Sequence, residues 1–299
     1  MLSLHTNAAS LSTQNSLAST NKALSTSMTR LGTGFRVNSA MDDAAGLQIA
    51  TRLNAQTSGM KVAQKNAQNG ISMLQTAEGA MSEVSNILVR MKDLATEGLN
   101  ATASEKDKAA MQAEYDALAK EMGNIFTGTS FGGARLFVED DATTAETLGG
   151  VLSAEIKFQI GATEAEQMKL DVGSEANKSL FDLQAKLVAL SDHFKDAAGT
   201  TDAGSQIGAD DSVANLNELI DLVGTFRSDL GAAANRLEHT YNNLGNMIQN
   251  TKAAEGRIMD VDYATETSNM TSKQMLMQAS TSMLKQSNSM SQMVASLLQ

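Results

Sequence analysis

Helical periodicity is clearest in residues 51–98, which read TRLNAQTSGMKVAQKNAQNGISMLQTAEGAMSEVSNILVRMKDLATEG. Apolar side chains recur there at every seventh position, and a second row lies three or four residues from the first. Two such rows form a continuous stripe along a helix that packs over its whole length. The first row is Leu53, Met60, Ala67, Leu74, Met81, Leu88 and Ala95. The pattern predicts one helix over 44–98, roughly 80 Å long, opened by a capping box of Ser39 and Asp42.

A second long helix is predicted over 210–252 by the same spacing. One apolar row of this helix begins at Leu216, and a second row runs beside it from Val213 to Ile248. Arg227 is the one residue that interrupts this second row. We expect this helix to run antiparallel to the first, and a shorter helix over 104–127 to begin at a capping box of Ser104 and Asp107. The residues expected to pack the long helices together are Leu53, Met60, Leu74 and Met81 from the first and Leu216, Val223, Leu230, Leu237 and Leu244 from the second.

The middle of the chain has a different pattern. Residues 154–161 and 168–172 alternate polar and apolar side chains, which predicts a β-hairpin. Residues 178–196 return to helical spacing, and 197–211 are rich in Gly, Thr and Asp, as in a surface loop. The expected fold is therefore mainly α: long antiparallel helices in a coiled-coil-like bundle, with a small β-hairpin and a reduced outer domain.

Both chain ends are unusually poor in charge. Residues 1–29 contain one Lys and no acid, and residues 267–299 contain two Lys and no acid. Each end nevertheless carries an apolar row, and helices of this composition are weakly stable alone. We expect the two helices to pair through their apolar rows, to bury their polar backs against neighbouring subunits, and so to polymerise. The rows are Leu4, Leu11, Leu17, Leu24 and Leu31 at one end and Leu276, Met283, Met290 and Leu297 at the other.

Composition argues against several classes of function. The chain has no Cys, its three His are far apart in sequence, and its formal net charge is −11. Thiol chemistry, metal sites and nucleic-acid binding therefore have little support, and no apolar run approaches the roughly 20 residues of a membrane span. Because no catalytic or cofactor-binding motif occurs either, we predict neither an enzyme nor a cofactor. A soluble coiled-coil adaptor or an adhesin-like structural protein stays open as an alternative to a filament subunit.

Four stretches closely resemble the bacterial flagellins. They are TGFRVNSAMDDAAGL at 33–47, GAAANRLE at 231–238, RIMDVDYA at 257–264 and the ending from Gln278 to Leu298. Their occurrence in this order makes the resemblance specific. The short length and the N-terminus are similar to those of the lateral (swarming) flagellins.

The resemblance implies a subunit of the extracellular flagellar filament that serves motility. Residues 1–40 with 256–299 would form the inner core, 41–138 with 205–255 a surrounding shell, and 139–204 a small variable outer region. The chain would leave the cell through a type III export channel without a cleavable signal peptide. Its partners would be further copies of itself, an export chaperone, the filament cap and the hook-junction proteins.

Recognition by Toll-like receptor 5 is a further implication of the resemblance. The matching positions here are Leu88, Arg90, Leu94 and Glu114. The helical spacing of Leu88 and Leu94 also fits a plain packing face, so both interpretations stay open at this point.

Overall fold

A computed structural model of the chain describes residues 7–100, 102–137, 150–170 and 210–297; of 210–212, 291, 292 and 294–297 it describes the backbone alone. Five long helices account for most of the described part, which confirms the predicted mainly α fold. They are α1 (Ala8–Thr33), α2 (Ala44–Gly98), α3 (Glu105–Gly128), α4 (Asp210–Met259) and α5 (Tyr263–Leu297). The first long helix has the predicted bounds, whereas α4 continues beyond residue 252 to Met259. The predicted helix at 178–196 and residues 197–209 of the predicted loop lie outside the described residues, and the last two residues of that loop, 210 and 211, belong to α4.

The start of α3 is capped as the sequence predicts. Ser104 Oγ accepts a hydrogen bond from the Asp107 N–H at 3.3 Å, and the Ser104 N–H donates to Asp107 Oδ2 at 3.2 Å. This reciprocal pair satisfies two backbone donors that the first helical turn leaves without helical partners.

The predicted capping box of α2 is wrong. Asp42 accepts hydrogen bonds from the backbone N–H groups of Asn38 and Ser39 at 3.1 and 3.0 Å, in a turn that precedes the helix. Asp43 instead caps α2, since its Oδ1 accepts from the Gly46 N–H at 2.8 Å. A capping oxygen must lie two or three residues before the N–H that it satisfies. Asp43 meets that condition because it directly precedes Ala44.

Two short hairpins follow α3. Strands β1 (Ser130–Phe131) and β2 (Ala134–Arg135) are antiparallel and are joined by Gly132 and Gly133, both at positive φ. Such a two-residue turn needs positive φ, which favours glycine. After a 3₁₀ turn at Val151–Ser153, β3 (Ile156–Gln159) pairs antiparallel with β4 (Gln167–Leu170), with Ile156 opposite Leu170. The β3–β4 hairpin confirms the predicted one.

The contacts divide the chain into two compact units. We call residues 1–57 with 249–299 the terminal unit, and residues 58–248 the central unit. Most of the predicted outer region, 139–204, lies outside the described residues, so the three-part division inferred from the sequence stays a prediction. Among the described helices, none is both long enough and apolar enough to cross a membrane.

The central unit contains one large apolar core. In this unit α2 and α4 run antiparallel, because Met60 packs with Leu244 while Glu78, further along α2, lies 3.9 Å from Arg227. Arg227 therefore interrupts its apolar row to pair with an acid on the neighbouring helix. The residues predicted for packing in this unit are all buried: Met60, Leu74, Met81, Leu216, Val223, Leu230, Leu237 and Leu244. Leu53 belongs to the terminal unit and is half-buried.

Candidate assembly surface

The terminal unit is built around an antiparallel pair of helices, α1 and α5. At one end of the pair the Asn7 amide donates to Ser287 Oγ at 3.1 Å, and at the other end Arg30 lies 3.9 Å from Glu266. Asn7 caps α1 as well, because its Oδ1 accepts from the Ser10 N–H at 3.1 Å. These polar contacts, one at each end of the helix pair, fix the register of α1 against α5.

The contact side of α5 follows one seven-residue pattern. Glu266 and Ser287, which contact α1, lie on the same stripe as a set of partly buried side chains spaced three and four apart. These are Met270, Lys273, Met277, Ser280 and Leu284. On α1 the corresponding residues are Leu17, Leu24, Ser27 and Leu31, of which Leu24 and Ser27 are buried. The stripe that faces α1 is thus mixed in character, because apolar side chains alternate with charged side chains or hydroxyl groups along it.

The predicted apolar row of α5 does not face α1. Leu276, Met283 and Met290 are all exposed, and Met283 keeps 65% of its surface accessible. Leu276 and Met283 directly precede the contact residues Met277 and Leu284, so their row is rotated by about 100° around the helix. The expectation that apolar rows would meet and polar backs would face outward is therefore wrong for α5. It is also wrong for Leu11 on α1, which is 57% exposed.

The physical reason is that α5 carries two rows of seven-residue spacing. The row with Glu266 and Ser287 has polar partners on α1, and these contacts select it for the helix pair. The apolar row is left on the outside, and together with Met275 and Met293 it makes up the outward apolar row: Met275, Leu276, Met283, Met290 and Met293. Of these, Met275 is a residue that the sequence analysis missed. Leu4 and the side chain of Leu297 lie outside the described part of the chain.

The segments that join α1 to α2 and α4 to α5 form a small antiparallel bridge. Phe35 pairs with Asp260, the Arg36 N–H donates to the Met259 carbonyl at 2.6 Å, and the Val261 N–H donates to the Gly34 carbonyl at 3.0 Å. Gly34 ends α1 in the left-handed region at φ 77°, where glycine has no steric penalty. The bridge brings together two of the stretches quoted above, 33–47 and 257–264.

Charged groups near this bridge are paired. Arg30 lies between Glu266 and Asp42, at 3.9 and 4.0 Å, and Arg36 lies 3.8 Å from Asp43. Hydrogen bonds from the backbone N–H groups of Asn38 and Ser39 hold the pKa of Asp42 below its usual value, and the Ser39 hydroxyl and the charge of Arg30 act in the same direction.

The start of α5 carries a similar group, Asp262. Its carboxylate accepts from the Thr265 hydroxyl at 2.7 Å and from the Ala264 N–H at 3.0 Å, and these bonds lower its pKa. Sequence analysis missed Asp262 and Glu266, although both are rare acids beside a long acid-free segment.

The terminal unit has few buried apolar side chains. Among its described residues, the buried apolar ones are Leu24, Val37 and Ala50, whereas the central unit contains all the others. Its exposed large apolar residues are Leu11, Met28, Phe35, Met41, Ile49, Tyr263, Met275, Leu276, Met283, Met290 and Met293. Concentrated exposure of this kind marks an interaction surface.

The residues suggested for receptor recognition separate into two pairs. Leu88 and Leu94 are buried in the core of the central unit, so their side chains do not reach solvent. Arg90 and Glu114 are exposed and form an ion pair at 2.7 Å that joins α2 to α3. Hydrogen bonding to Glu114 raises the pKa of Arg90.

The described residues contain no group of three His or acidic side chains placed to hold a metal ion. The bacterial flagellin N-terminal helical region matches residues 4–142, and the flagellin C-terminal helical region matches residues 213–298.

Several curated flagellins are similar over nearly the whole chain. The flagellin of Bacillus subtilis (strain 168) is 39% identical over 98% of both chains, and that of Halalkalibacterium halodurans is 41% identical over 91% of this chain and 90% of its own. Polar flagellin B/D of Vibrio parahaemolyticus is 32% identical over 99% of both. A crystal structure of Bacillus cereus flagellin, 26% identical, covers 60% of this chain and 88% of its own with a TM-score of 0.45.

These matches decide between the filament subunit and the coiled-coil adaptor that the residues alone left open. The matched regions include both terminal helices, and family members build the flagellar filament, an extracellular appendage that serves motility. This chain therefore belongs to the bacterial flagellins, and it is a structural filament subunit, not an enzyme.

Proposed function

We propose that subunits of this flagellin polymerise through the outward apolar row of α5, comprising Met275, Leu276, Met283, Met290 and Met293, together with Leu11 and Met28 on α1. The partner surface is the terminal unit of a second copy. The observation that supports this is the exposure of the row in a unit that buries few apolar side chains of its own.

Burial of this surface is favourable because almost no charge accompanies it. From residue 8 to residue 29 the one charged residue is Lys22, and from 267 to 297 there are two, Lys273 and Lys285. Transfer of neutral side chains into an interface avoids the large desolvation cost of charged groups. Each apolar side chain that becomes fully buried contributes about 1.5–3 kcal/mol, so a contiguous row of five supports a stable contact.

The polar contacts within the helix pair have a complementary role in this proposal. The Asn7–Ser287 and Arg30–Glu266 contacts hold α1 and α5 in one register, so that Leu11 and the α5 row are presented together. A subunit with a slipped register would present a broken surface to its neighbour.

Electron microscopy and sedimentation of the full chain test this proposal. We expect the L276S/M283S/M290S variant to remain soluble, to keep its helical circular dichroism and to form no filaments where the unmodified chain polymerises. The matched control is M283L/M290L, which keeps the row apolar and should polymerise normally. Filaments of normal length and rate from the serine variant would show that another surface mediates assembly.

We further propose the filament-cap protein, the hook-junction proteins and an export chaperone as partners, with export through the type III apparatus. The supporting features are helices of low intrinsic stability at both ends and a chain without Pro or Cys. Such a chain refolds without prolyl isomerisation or disulfide formation. Secretion of the chain from a strain with and without a functional export apparatus checks the route, and equal secretion from both would contradict it.

A lateral filament used in swarming is the more specific proposal for biological role. It rests on the short chain and on the N-terminal resemblance. Deletion of the gene should abolish movement over a surface and leave swimming in liquid intact. Loss of swimming alone would indicate polar use.

Recognition by Toll-like receptor 5 is a separate proposal, supported by the exposed Arg90–Glu114 pair. Leu88 and Leu94 contribute by anchoring α2 in the core, since their side chains are not accessible. Receptor signalling by the unassembled chain should fall in R90A and E114A, and should persist in the control R236A, which changes an exposed arginine of α4. Unchanged signalling by both variants would contradict the proposal.

A further inference from the structure

The buried and the exposed methionines of the described residues separate between the two units with one exception, while Met111, Met259, Met270 and Met277 are half-buried. Among the described residues, the six buried methionines are Met60, Met73, Met81, Met91, Met122 and Met168, and all belong to the central unit. The exposed ones are Met28, Met41, Met247, Met275, Met283, Met290 and Met293, and all except Met247 belong to the terminal unit. Burial therefore protects one set from solvent and leaves the other accessible.

Accessible thioethers react with peroxides. The sulfur of methionine takes one oxygen atom from the peroxide, the product is methionine sulfoxide, and the peroxide is reduced to water or an alcohol. The sulfoxide is polar and chiral, whereas the thioether is flexible and apolar. Oxidation of a methionine that stays in solvent has little effect on the fold. Oxidation of a methionine that must become buried in an interface disrupts that interface.

Four of the exposed methionines lie together on α5. Met275, Met283, Met290 and Met293 supply four of the five residues of the outward apolar row, and Met283 is the most exposed of them. They do not lie on the stripe that contacts α1, which is formed by Glu266, Met270, Lys273, Met277, Ser280, Leu284 and Ser287. Oxidation of the row therefore leaves the α1–α5 pair intact and changes the face that points away from it.

We propose that these four methionines form a reversible oxidation site that controls assembly: peroxide oxidises the free subunit, blocks its polymerisation without unfolding it, and is reversed by methionine sulfoxide reductases. The inference rests on the proposed function, in which this row is the assembly surface. In the assembled filament the row is buried between subunits and is therefore shielded from peroxide. The filament should thus resist the treatment that inactivates the free subunit.

The experiment uses the full chain as free subunits and as filaments, treated with dilute hydrogen peroxide that is then removed. Peptide mass spectrometry locates the sulfoxides, circular dichroism monitors helix content, and light scattering follows polymerisation. We expect sulfoxides at the four α5 methionines of the free subunit, unchanged helicity, and an initial polymerisation rate lower by about tenfold or more. Treatment with the two stereospecific reductases should restore the rate, and filaments should show little oxidation at these positions.

The M275L/M283L/M290L/M293L variant provides the critical comparison, and M41L is its matched control. Peroxide should slow the quadruple variant far less than the unmodified chain, and the loss that remains is expected from Met28, the exposed methionine that α1 contributes to the proposed assembly surface. M41L replaces the most exposed of the described methionines, which lies outside the helices at 92% accessibility. After peroxide treatment, M41L should lose polymerisation to the same extent as the unmodified chain.

Two results would overturn the inference: normal polymerisation of subunits that carry sulfoxides at the four positions, or equal inhibition of the quadruple variant. The untreated L276S/M283S/M290S variant separates this inference from the proposed function. If that variant polymerises, the assembly surface itself is wrong; if it does not, while oxidised subunits do, the oxidation site alone is wrong.

Discussion

Arg30 on α1 and Glu266 on α5 form an ion pair at 3.9 Å, and Glu266, the one acid in the sequence of α5, is 7% exposed. The Nε atom of Arg30 is buried without a hydrogen-bond partner, and Asp42 lies 4.0 Å from the same guanidinium. A buried acid must have a compensating partner to be tolerated. This pair therefore specifies how the two terminal helices meet more than it adds net stability.

Replacement of Glu266 by Gln should loosen the α1–α5 pair. The change leaves Arg30 with Asp42 as its acidic partner and is expected to cost about 1–2 kcal/mol. Hydrogen-exchange mass spectrometry of peptides from α1 and α5 measures it directly, and exchange should become faster there and stay unchanged in α3. E238Q, which changes an exposed acid of α4, serves as the control. Equal exchange in E266Q and the unmodified chain would mean that the ion pair has no structural role.

Replacement of two glycines of α2 by alanine should change the free energy of unfolding in opposite directions. A Cβ atom at Gly70 would lie 2.8 Å from a ring carbon of Phe158 and 3.0 Å from Leu237, so G70A overpacks the contact of α2 with the β3–β4 hairpin and α4. A Cβ atom at Gly79 meets nothing within 4 Å. We expect G70A to destabilise the chain by about 1–3 kcal/mol and G79A to stabilise it by roughly 0.5–1 kcal/mol.

Urea unfolding followed by far-ultraviolet circular dichroism compares these two variants. Because both substitutions lie in the same helix, a shared change in helix propensity cancels between them. A stabilising effect of G70A would show that the β3–β4 hairpin does not pack tightly against α2.

The aromatic cluster of the central unit should be the most sensitive part of its core. Phe126 and Phe137 make an edge-to-face contact with ring centroids 5.3 Å apart, and Phe226 lies 6.2 Å from Phe137. F226A should lower the free energy of unfolding by about 3–5 kcal/mol through cavity formation, and F226L by about 1.5 kcal/mol or less. Equal losses in the two variants, measured by urea unfolding, would argue against a tightly packed site.

Acid should weaken the start of α5 through Asp262. The pKa of this carboxyl is lowered in the folded chain, first by the Thr265 hydroxyl. A group with a depressed folded pKa stabilises the fold above its unfolded pKa, and that contribution is lost as the pH falls through the folded value. The thermal midpoint should therefore fall as the pH drops below the ordinary Asp value of 3.8.

The T265V variant tests this assignment. It removes the hydroxyl and keeps the shape of the side chain, so NMR titration of the Asp262 carboxyl carbon should show a pKa closer to the ordinary value. The thermal midpoint of T265V should depend less on pH in the same range. The matched control T271V removes a hydroxyl that bonds within α5 to the Thr267 carbonyl. An identical Asp262 titration in T265V and the unmodified chain would exclude the hydroxyl as the main cause.

Local patterns in the sequence were sufficient to predict most of the secondary structure of the described residues. Apolar spacing predicted α2 and α4, alternation predicted the β3–β4 hairpin, and Ser104 with Asp107 marked the start of α3. These features depend on residues within a few positions of one another, and the helical and extended periods differ enough to be distinguished. The capping error at Ser39 arose because the three-residue spacing of Ser39 and Asp42 fits a capping box, whereas α2 begins at Ala44 and its N-cap is Asp43, four residues after Ser39.

The face that α5 turns towards α1 could not be predicted from spacing, because both rows of α5 have the same seven-residue period. Spacing alone therefore favours the more apolar row, with Leu276 and Met283, as the contact with α1, whereas the helix pair uses the row of Glu266 and Ser287. That choice depends on partners more than 200 residues away, such as Asn7 and Arg30. Periodicity is a property of one segment and determines its secondary structure, but the face that a helix turns towards its neighbour depends on the partners that folding brings to it.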